Sequence, residues 1–230
     1  MANNMKRYAF RLVGETPLLM HRDHLTFAEQ IRAWQRDPAN KALSVAGDDR
    51  SPAWTWIGSL YNDSRYITMS ADNIATCIRE GGAKVPTGRK AGDKTYKKLS
   101  QSGIVLDSPE FDLLVDGKKI PVGPIRELIG NVDFAAHEET VMDLGFELLV
   151  KRARIGVGSK HVRVRPLFRN WVVSGSFTVL DEEIFGLRKP ILEDIFAQAG
   201  MFCGLGDWRP NSPKSPGYYG KFRTELELIG

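Results

Sequence analysis

The chain has 230 residues, of which 42% are hydrophobic and 26% are charged, and its formal net charge is +4 at pH 7. This composition excludes a wholly disordered protein, and the presence of only two cysteines excludes a disulfide framework or a cysteine-rich zinc site. The sequence contains neither a signal-sequence core nor a run of about 18 apolar residues. We therefore expect a cytoplasmic protein without a membrane partner.

Strand and helix patterns follow one another in the first quarter of the chain. Residues 7–13 alternate polar and apolar side chains, which predicts a half-buried strand. Residues 27–36 carry apolar side chains at helical spacing and predict a helix. Residues 40–53 are polar and predict an exposed loop, whereas residues 54–61 are aromatic enough to be buried as either helix or strand.

A second helix is marked more clearly. Residues 66–70 predict a strand, and Ser70 predicts the N-cap of the helix that follows. Two glycines end this helix at residues 81 and 82. The apolar stripe that we expect to be buried consists of Ile74, Cys77 and Ile78.

Residues 83–103 form the first of three basic stretches, and we call them the basic segment. They contain few apolar residues, which predicts a mobile loop that follows a phosphate backbone, with a merely solvated surface as the alternative. The candidate phosphate contacts are Lys94, Lys97 and Lys98. After the basic segment, Ile104–Leu106 and residues 111–115 predict short strands. The acidic residues 133–143 predict a surface segment.

A strand hairpin carries the second basic stretch. From residue 151 to residue 169 there are seven Lys or Arg and no Asp or Glu. Residues 146–155 predict one strand, and residues 162–167 predict its partner after a glycine turn. Strict alternation places Arg163 and Arg165 on one face, which predicts a cationic surface. Lys160 joins these two arginines as a candidate phosphate contact.

The third basic stretch lies in a loop near the C-terminal end of the sequence. Residues 171–180 predict a strand, residues 186–200 a helix that stops at its last glycine, and residues 221–229 a final strand. Between them, residues 204–220 hold two glycine pairs, and we call them the glycine loop. Its amides can face a phosphate, although a tight turn is the alternative.

Cations and aromatic side chains accompany these glycines. We expect Arg209 and Lys221 to contact phosphates. Stacking on bases is expected from Trp208, Tyr218 or Tyr219, with burial of Trp208 as an equal alternative.

The order of these elements predicts an α+β protein with a ferredoxin-like or RRM-like antiparallel sheet, helices on one face and a long basic insertion. We expect one domain over residues 1–230, with insertions at about residues 21–64 and 83–145. The open face of such a sheet commonly meets single-stranded nucleic acid.

Two motifs resemble those of the RAMP superfamily of CRISPR-associated proteins. One is Gly204-Leu205-Gly206 together with residues 217–222, and the other is the strand and Ser-capped helix at residues 67–79. Within that superfamily the chain is most similar to the backbone subunits that polymerise along guide RNA in antiviral defence, or to a virus-encoded or stand-alone relative. The resemblance implies copies of itself, other effector subunits and single-stranded RNA or DNA as partners.

The leading hypothesis is a non-enzymatic subunit that coats a single strand and needs no cofactor or metal. One alternative is a metal-independent endoribonuclease of the RAMP type, with Lys160 as the cation and His21, His24 or His161 as the base. The other alternative is a structural module that binds protein partners.

Overall fold

The computed structural model describes residues 4–155, 159–213 and 215–230, and the side chains of these residues except at positions 154, 155, 159 and 160. The protein is a mixed α/β structure with antiparallel sheets. The chain divides into two compact units. Unit 1 comprises Met1–Leu18, Thr68–Lys118 and Arg169–Gly230, and unit 2 comprises Leu19–Ile67 and Lys119–Phe168. The expected single domain with two insertions stays a prediction.

The strands within these ranges are, in chain order, β1 (Lys6–Gly14), β2 (Leu18–Leu19), β3 (Thr68–Ser70), β4 (Ile104–Leu106), β5 (Glu110–Val115), β6 (Lys118–Lys119), β7 (Glu147–Ile155), β8 (Ser159–Phe168), β9 (Trp171–Val179) and β10 (Phe222–Leu228). The α-helices are α1 (Leu25–Arg36), α2 (Ala71–Gly82), α3 (Lys97–Gly103), α4 (Gly123–Glu127), α5 (Phe134–Asp143), α6 (Glu182–Phe185) and α7 (Lys189–Gln198). Short 3-10 helices lie at Pro38–Asn40 and Ala53–Ser59, and a π-helical turn occupies Ala199–Cys203. In the part of the chain that the structure describes, no helix is long and apolar enough to cross a membrane.

Unit 1 is built on an antiparallel sheet in the order β10-β1-β9-β5-β3, and β4 pairs with the other end of β9. Alternate residues of β1 are buried, because Tyr8, Phe10 and Leu12 face the apolar core. The ring of Phe10 lies 6.4 Å from that of Phe196, so α7 covers this side of the sheet. Helix α2 packs beside α7.

The start of α2 is confirmed in detail. The hydroxyl of Ser70 accepts a hydrogen bond from the amide of Asp72 at 3.2 Å, which caps the helix. The three residues of the expected apolar stripe are buried. The strands expected at residues 7–13, 104–106, 111–115, 171–180 and 221–229 are confirmed with small shifts of their bounds.

Two expectations about local structure are wrong. The basic segment is not a loop throughout, because it includes the helix α3. The polar stretch 40–53 is not wholly exposed, because Asp49 and Ser51 are buried. The helix expected at residues 186–200 is confirmed with shifted bounds, since it begins at Lys189 and continues past Gly200 through the π-helical turn. The acidic stretch lies at the surface with its acidic residues exposed, as expected, and forms the helix α5, which buries His137 and Val141.

Unit 2 has a core of aromatic rings around the fully buried His137. Trp56 contacts both His137 and Phe146, and Phe146 stacks on Phe168 at 5.0 Å. The indole Nε1 of Trp56 donates to Nδ1 of His137 at 3.1 Å. Nε2 of His137 lies 2.9 Å from the carbonyl oxygen of Asn131, so it carries the proton and donates to that oxygen. Both ring nitrogens are therefore satisfied in the neutral imidazole.

We expect the protein to lose stability as the pH falls below about 6.5, because the buried His137 resists protonation. Burial lowers the pKa of this imidazole from its ordinary value of 6.5, and outweighs the hydrogen bond to Asn131 and the charge of Asp133. The unfolded chain then binds a proton that the folded chain does not bind. The free energy of unfolding should fall by up to about 1.4 kcal/mol per pH unit from this group.

Urea unfolding between pH 7.5 and 5 measures this dependence. His137→Gln removes the titration, so the difference in pH slope between the variant and the original protein isolates this one group. Equal slopes in the two proteins would show that His137 does not contribute.

Candidate nucleic-acid interface

The β7–β8 hairpin of unit 2 carries the densest positive charge. Its register places Lys151 opposite Arg163 and Arg152 opposite Val162. Lys151, Arg163 and Arg165 therefore share one face, as the alternation predicted, while Arg152 lies on the face of the valines. Lys151 and Arg152 are exposed. Two exposed cations thus sit on adjacent positions of β7, one on each face of the ribbon.

Asp49 holds the two arginines of β8. Its carboxylate accepts from Arg163 Nη1 at 2.8 Å and from Arg165 Nη1 at 3.1 Å. The backbone amide of Val164 donates to the same carboxylate at 3.2 Å. The side chain of Arg163 is 36% exposed and that of Arg165 only 16%. One negative charge thus orients two positive charges, and Arg163 is the more accessible of the two.

Backbone hydrogen bonds bring Asp49 to this position. The amide of Asp49 donates to the carbonyl of Val162 at 3.0 Å, and the amide of Val162 donates to Gly47 at 2.8 Å. A short parallel bridge therefore ties the loop to β8. Sequence reasoning missed Asp49, because a single aspartate in a polar loop carries no signal of a partner more than 100 residues away.

One other expected cation cannot be placed. The backbone of Lys160 pairs with Arg154 in the hairpin, but its side chain lies outside the described residues. The turn glycines at 156 and 158 also lie outside them.

The lysines of the basic segment are held by neighbouring groups in unit 1. Lys94 Nζ donates to the carbonyl oxygens of Arg89 and Lys90. Lys97 Nζ lies 3.3 Å from a carboxylate oxygen of Glu80, and Lys98 Nζ lies 3.8 Å from one of Asp93. The side chain of Lys98 is 80% exposed, so it is the most accessible of the three. The expected phosphate contacts of these three lysines stay a prediction.

The glycine loop of unit 1 is a compact turn that uses many of its own amides. Leu205 donates to Gly220 at 2.9 Å, Gly217 donates to Arg209 at 3.0 Å, and Gly220 donates to Pro17 at 2.8 Å. A Cβ at Gly217 would lie 1.6 Å from the carbonyl oxygen of Trp208. These glycines therefore allow backbone segments to cross closely, and the amides just named are not available to a phosphate.

The cations and aromatics of this loop lie together as expected. Tyr218 is 63% exposed, and its ring packs edge to face with the half-buried Tyr219 at 5.8 Å. Trp208 is half-buried and adopts a positive φ of 50°. Arg209 Nη1 donates to the carbonyl of Gly206 at 2.9 Å. Lys221 is half-buried and follows directly. Tyr218 is thus the ring best placed to stack on a base.

An exposed aromatic residue and a lysine beside this loop were missed. Lys84 Nζ lies 5.9 Å from the ring centre of Phe202, which is 47% exposed. The charges of Lys84 and Arg209 both act on Cys203, whose thiol pKa is nevertheless raised by burial. Phe202 follows Gly200 in the π-helical turn, and a sequence pattern that ends the helix at Gly200 gives no reason to place it at the surface.

The polar face of the unit 1 sheet carries both signs of charge. Arg7 Nε donates to Asp107 at 2.7 Å, and Arg11 Nη1 donates to Glu225 at 3.1 Å. Burial raises the pKa of Asp107, but hydrogen bonds from Ser176, Arg7 and Thr178 outweigh it and lower that pKa. Carboxylates on this face repel phosphates, so the sheet face is a weaker nucleic-acid surface than the hairpin.

The candidate catalytic histidines all belong to unit 2. His24 caps α1, because its Nδ1 accepts from the amide of Phe27 at 3.3 Å. His161 is half-buried on β8, beside Gly47. His21 is exposed and has a partner of its own. Across the described ranges, no group of three or more His, Cys, Asp or Glu side chains is arranged to hold a metal ion.

No protein-family model matches this sequence, and no curated protein matches it.

Proposed function

We propose that this protein is a non-enzymatic binder of single-stranded nucleic acid, either RNA or DNA. The observation that carries the proposal is the β7–β8 hairpin, which holds six Lys or Arg between residues 151 and 165 and one acidic residue, Glu147, at its start. Against them the structure sets one buried carboxylate, Asp49, which orients two arginines. Cations that are held in place lose less conformational freedom when a phosphate binds.

Exposed aromatic surface supports the same function. Tyr218 offers an open ring on the glycine loop, and Phe202 offers another beside Lys84. Stacking of a base on such a ring is typically worth about 1–3 kcal/mol and tolerates any sequence. This combination of cations and rings is typical of proteins that bind single strands.

The arrangement of unit 1 supports a ferredoxin-like or RRM-like fold. Strand β1, helix α2 and strand β5 precede strand β9, helix α7 and strand β10, and all four strands lie in one antiparallel sheet. This is the order of a split β-α-β fold. Together with the resemblance of two motifs to the RAMP superfamily, it supports the proposal that copies of the chain line up along the strand.

The mixed charge of the sheet's polar face argues against a nucleic-acid strand that crosses this face. Arg7, Arg11 and Arg223 are paired there with carboxylates. We therefore assign the phosphate contacts to the hairpin rather than to the sheet.

Lys151→Ala combined with Arg152→Ala is expected to weaken binding to a labelled single strand and to flatten its salt dependence. Each lost phosphate contact lowers the slope of log K against log salt by about 0.7 for single strands, so loss of two contacts lowers it by about 1.4. Fluorescence anisotropy from 50 to 400 mM salt measures the slope.

The matched control is Lys41→Ala combined with Lys189→Ala, which removes two exposed cations elsewhere. If the hairpin variant and the control have equal slopes of log K against log salt, the hairpin is not part of the binding site. Incubation of the protein with labelled RNA in the presence of a chelator tests the enzyme alternative. RNA cleavage products that are lost in a histidine variant would contradict a purely binding role.

A further inference from the structure

We propose that two copies of this chain pair through the outer edge of β10, so that the sheet of unit 1 continues across a two-fold axis. This inference is independent of nucleic-acid binding. It rests on three features of β10, which are an unpaired edge, a hollow beside that edge and a pattern of charge that is complementary to itself.

The edge of β10 lies at the end of the sheet. Among the described strands, β10 pairs with β1 alone. Hydrogen bonds from Glu15 to Lys221 and from Ile229 to Arg7 identify the residues whose main chain faces β1. Because these groups alternate in an antiparallel pair, the amides and carbonyls of Thr224, Leu226 and Leu228 point away from β1. Such a row of groups is a template for another strand.

A hollow of about 240 Å³ lies beside this edge. Its lining combines Ala197, the 58% exposed Met201 and Leu226 with the charged residues Glu15, Glu193 and Arg223. The hollow therefore leaves room for a second strand beside the edge.

Charge and space together select one register of two antiparallel β10 strands. When Thr224 of one copy lies opposite Leu226 of the other, Arg223 lies opposite Glu227 of the other copy, and this pair occurs twice. A register shifted by two residues in one direction would place Glu225 opposite Glu227. Repulsion between these two carboxylates disfavours that register.

The register shifted in the other direction would pair Phe222 with Leu226, and the selected register would pair it with Leu228. Neither of these pairs can form, because the outer edge is covered at Phe222, where a Cβ at Gly200 would lie 2.0 Å from the carbonyl oxygen. The selected register therefore keeps two Thr224–Leu226 pairs, whereas the shifted register keeps a single Thr224–Thr224 pair. In the selected register the two Glu225 side chains face each other across the axis. Each of them already accepts from Arg223 at 2.6 Å and from Arg11 at 3.1 Å, so their charges are compensated.

A charge swap tests this register. Arg223→Glu alone or Glu227→Arg alone places like charges opposite each other twice, so each variant should raise the dimer dissociation constant about tenfold or more. The double variant exchanges the charges, and Glu225 keeps its hydrogen bond from Arg11 although it loses the one from Arg223, so the dimer should be restored in part. Within one chain, positions 223 and 227 are about 13 Å apart along the strand, so a role confined to the monomer gives no such restoration.

Sedimentation velocity of nuclease-treated protein over a concentration series measures the mass, and the original protein should reach twice the 25.7 kDa of one chain. Glu139→Arg, at an exposed glutamate of α5, is the control for reversed charge and should leave the dimer unchanged. Slower hydrogen exchange at the amides of Thr224 and Leu226 at high concentration provides a measurement that needs no variant.

A monomer at every concentration, a dimer that both single reversals leave intact, or a double variant that stays monomeric overturns the proposal. Because no nucleic acid is present, none of these outcomes depends on the binding function.

Discussion

Asp49→Ala is expected to lower the free energy of unfolding by about 3 kcal/mol. The substitution leaves Arg163 and Arg165 without their shared carboxylate and the amide of Val164 without its acceptor. Removal of one partner from a largely buried ion pair typically costs about 3–5 kcal/mol, and the 36% exposure of Arg163 places the estimate at the lower end. Urea unfolding measures the change.

Asp48→Ala is the matched control, since it removes the neighbouring carboxylate. Asp48 pairs with Arg50 at 2.6 Å, and that arginine is 46% exposed, so the loss should be about 1 kcal/mol or less. Equal losses in the two variants would contradict the role of Asp49 in holding the hairpin. Asp49→Asn keeps a hydrogen-bond acceptor, so its loss in the free energy of unfolding should lie between those of Asp49→Ala and Asp48→Ala.

The same geometry changes the interpretation of the two β8 arginines. Alternation alone suggests that both could be replaced by alanine without loss of stability. Their replacement would instead leave the buried Asp49 with the amide of Val164 as its one remaining donor among the described residues, so the double variant should unfold more easily. Binding is for this reason tested through Lys151 and Arg152, which are exposed.

Gly220→Ala is expected to destabilise unit 1 by about 3 kcal/mol or more and to displace the glycine loop. Gly220 has a φ of +74°, which L residues with a side chain rarely adopt. A Cβ there would lie 1.9 Å from the carbonyl oxygen of Leu205, whose own amide donates to Gly220. The backbone must move to relieve this overlap, and overpacking adds to the cost of the strained φ.

Gly88→Ala separates the two contributions, because Gly88 has a φ of +71° and nothing within 4 Å of its Cβ position. We expect a loss of only about 1–2 kcal/mol there. Thermal unfolding and the near-ultraviolet signal of Trp208 and Tyr218 measure both variants. If Gly220→Ala cost no more than Gly88→Ala, the close crossing of the loop would not be required for stability.

Local patterns predicted the elements whose cause is local. The alternation in β1, the cap at Ser70 and the hairpin of β7 and β8 each depend on residues that are near in sequence. The two arginines of β8 share a face for the same reason.

Features that depend on distant contacts were not predictable in this way. Helix α5 is short and mostly polar, and it is stabilised by the burial of His137 against Trp56 from another segment. The continuation past Gly200 requires close approach to Phe222, which only glycine allows.

The most direct test of the proposed function is the binding of the purified protein to single-stranded RNA, single-stranded DNA and duplex over a salt series. Mass photometry on strands of increasing length reads the size of each complex. The proposal predicts salt-sensitive binding to one of the single strands, with a mass that grows with strand length. Absence of binding to all three would contradict it and would assign the basic hairpin to an ordinary solvated surface.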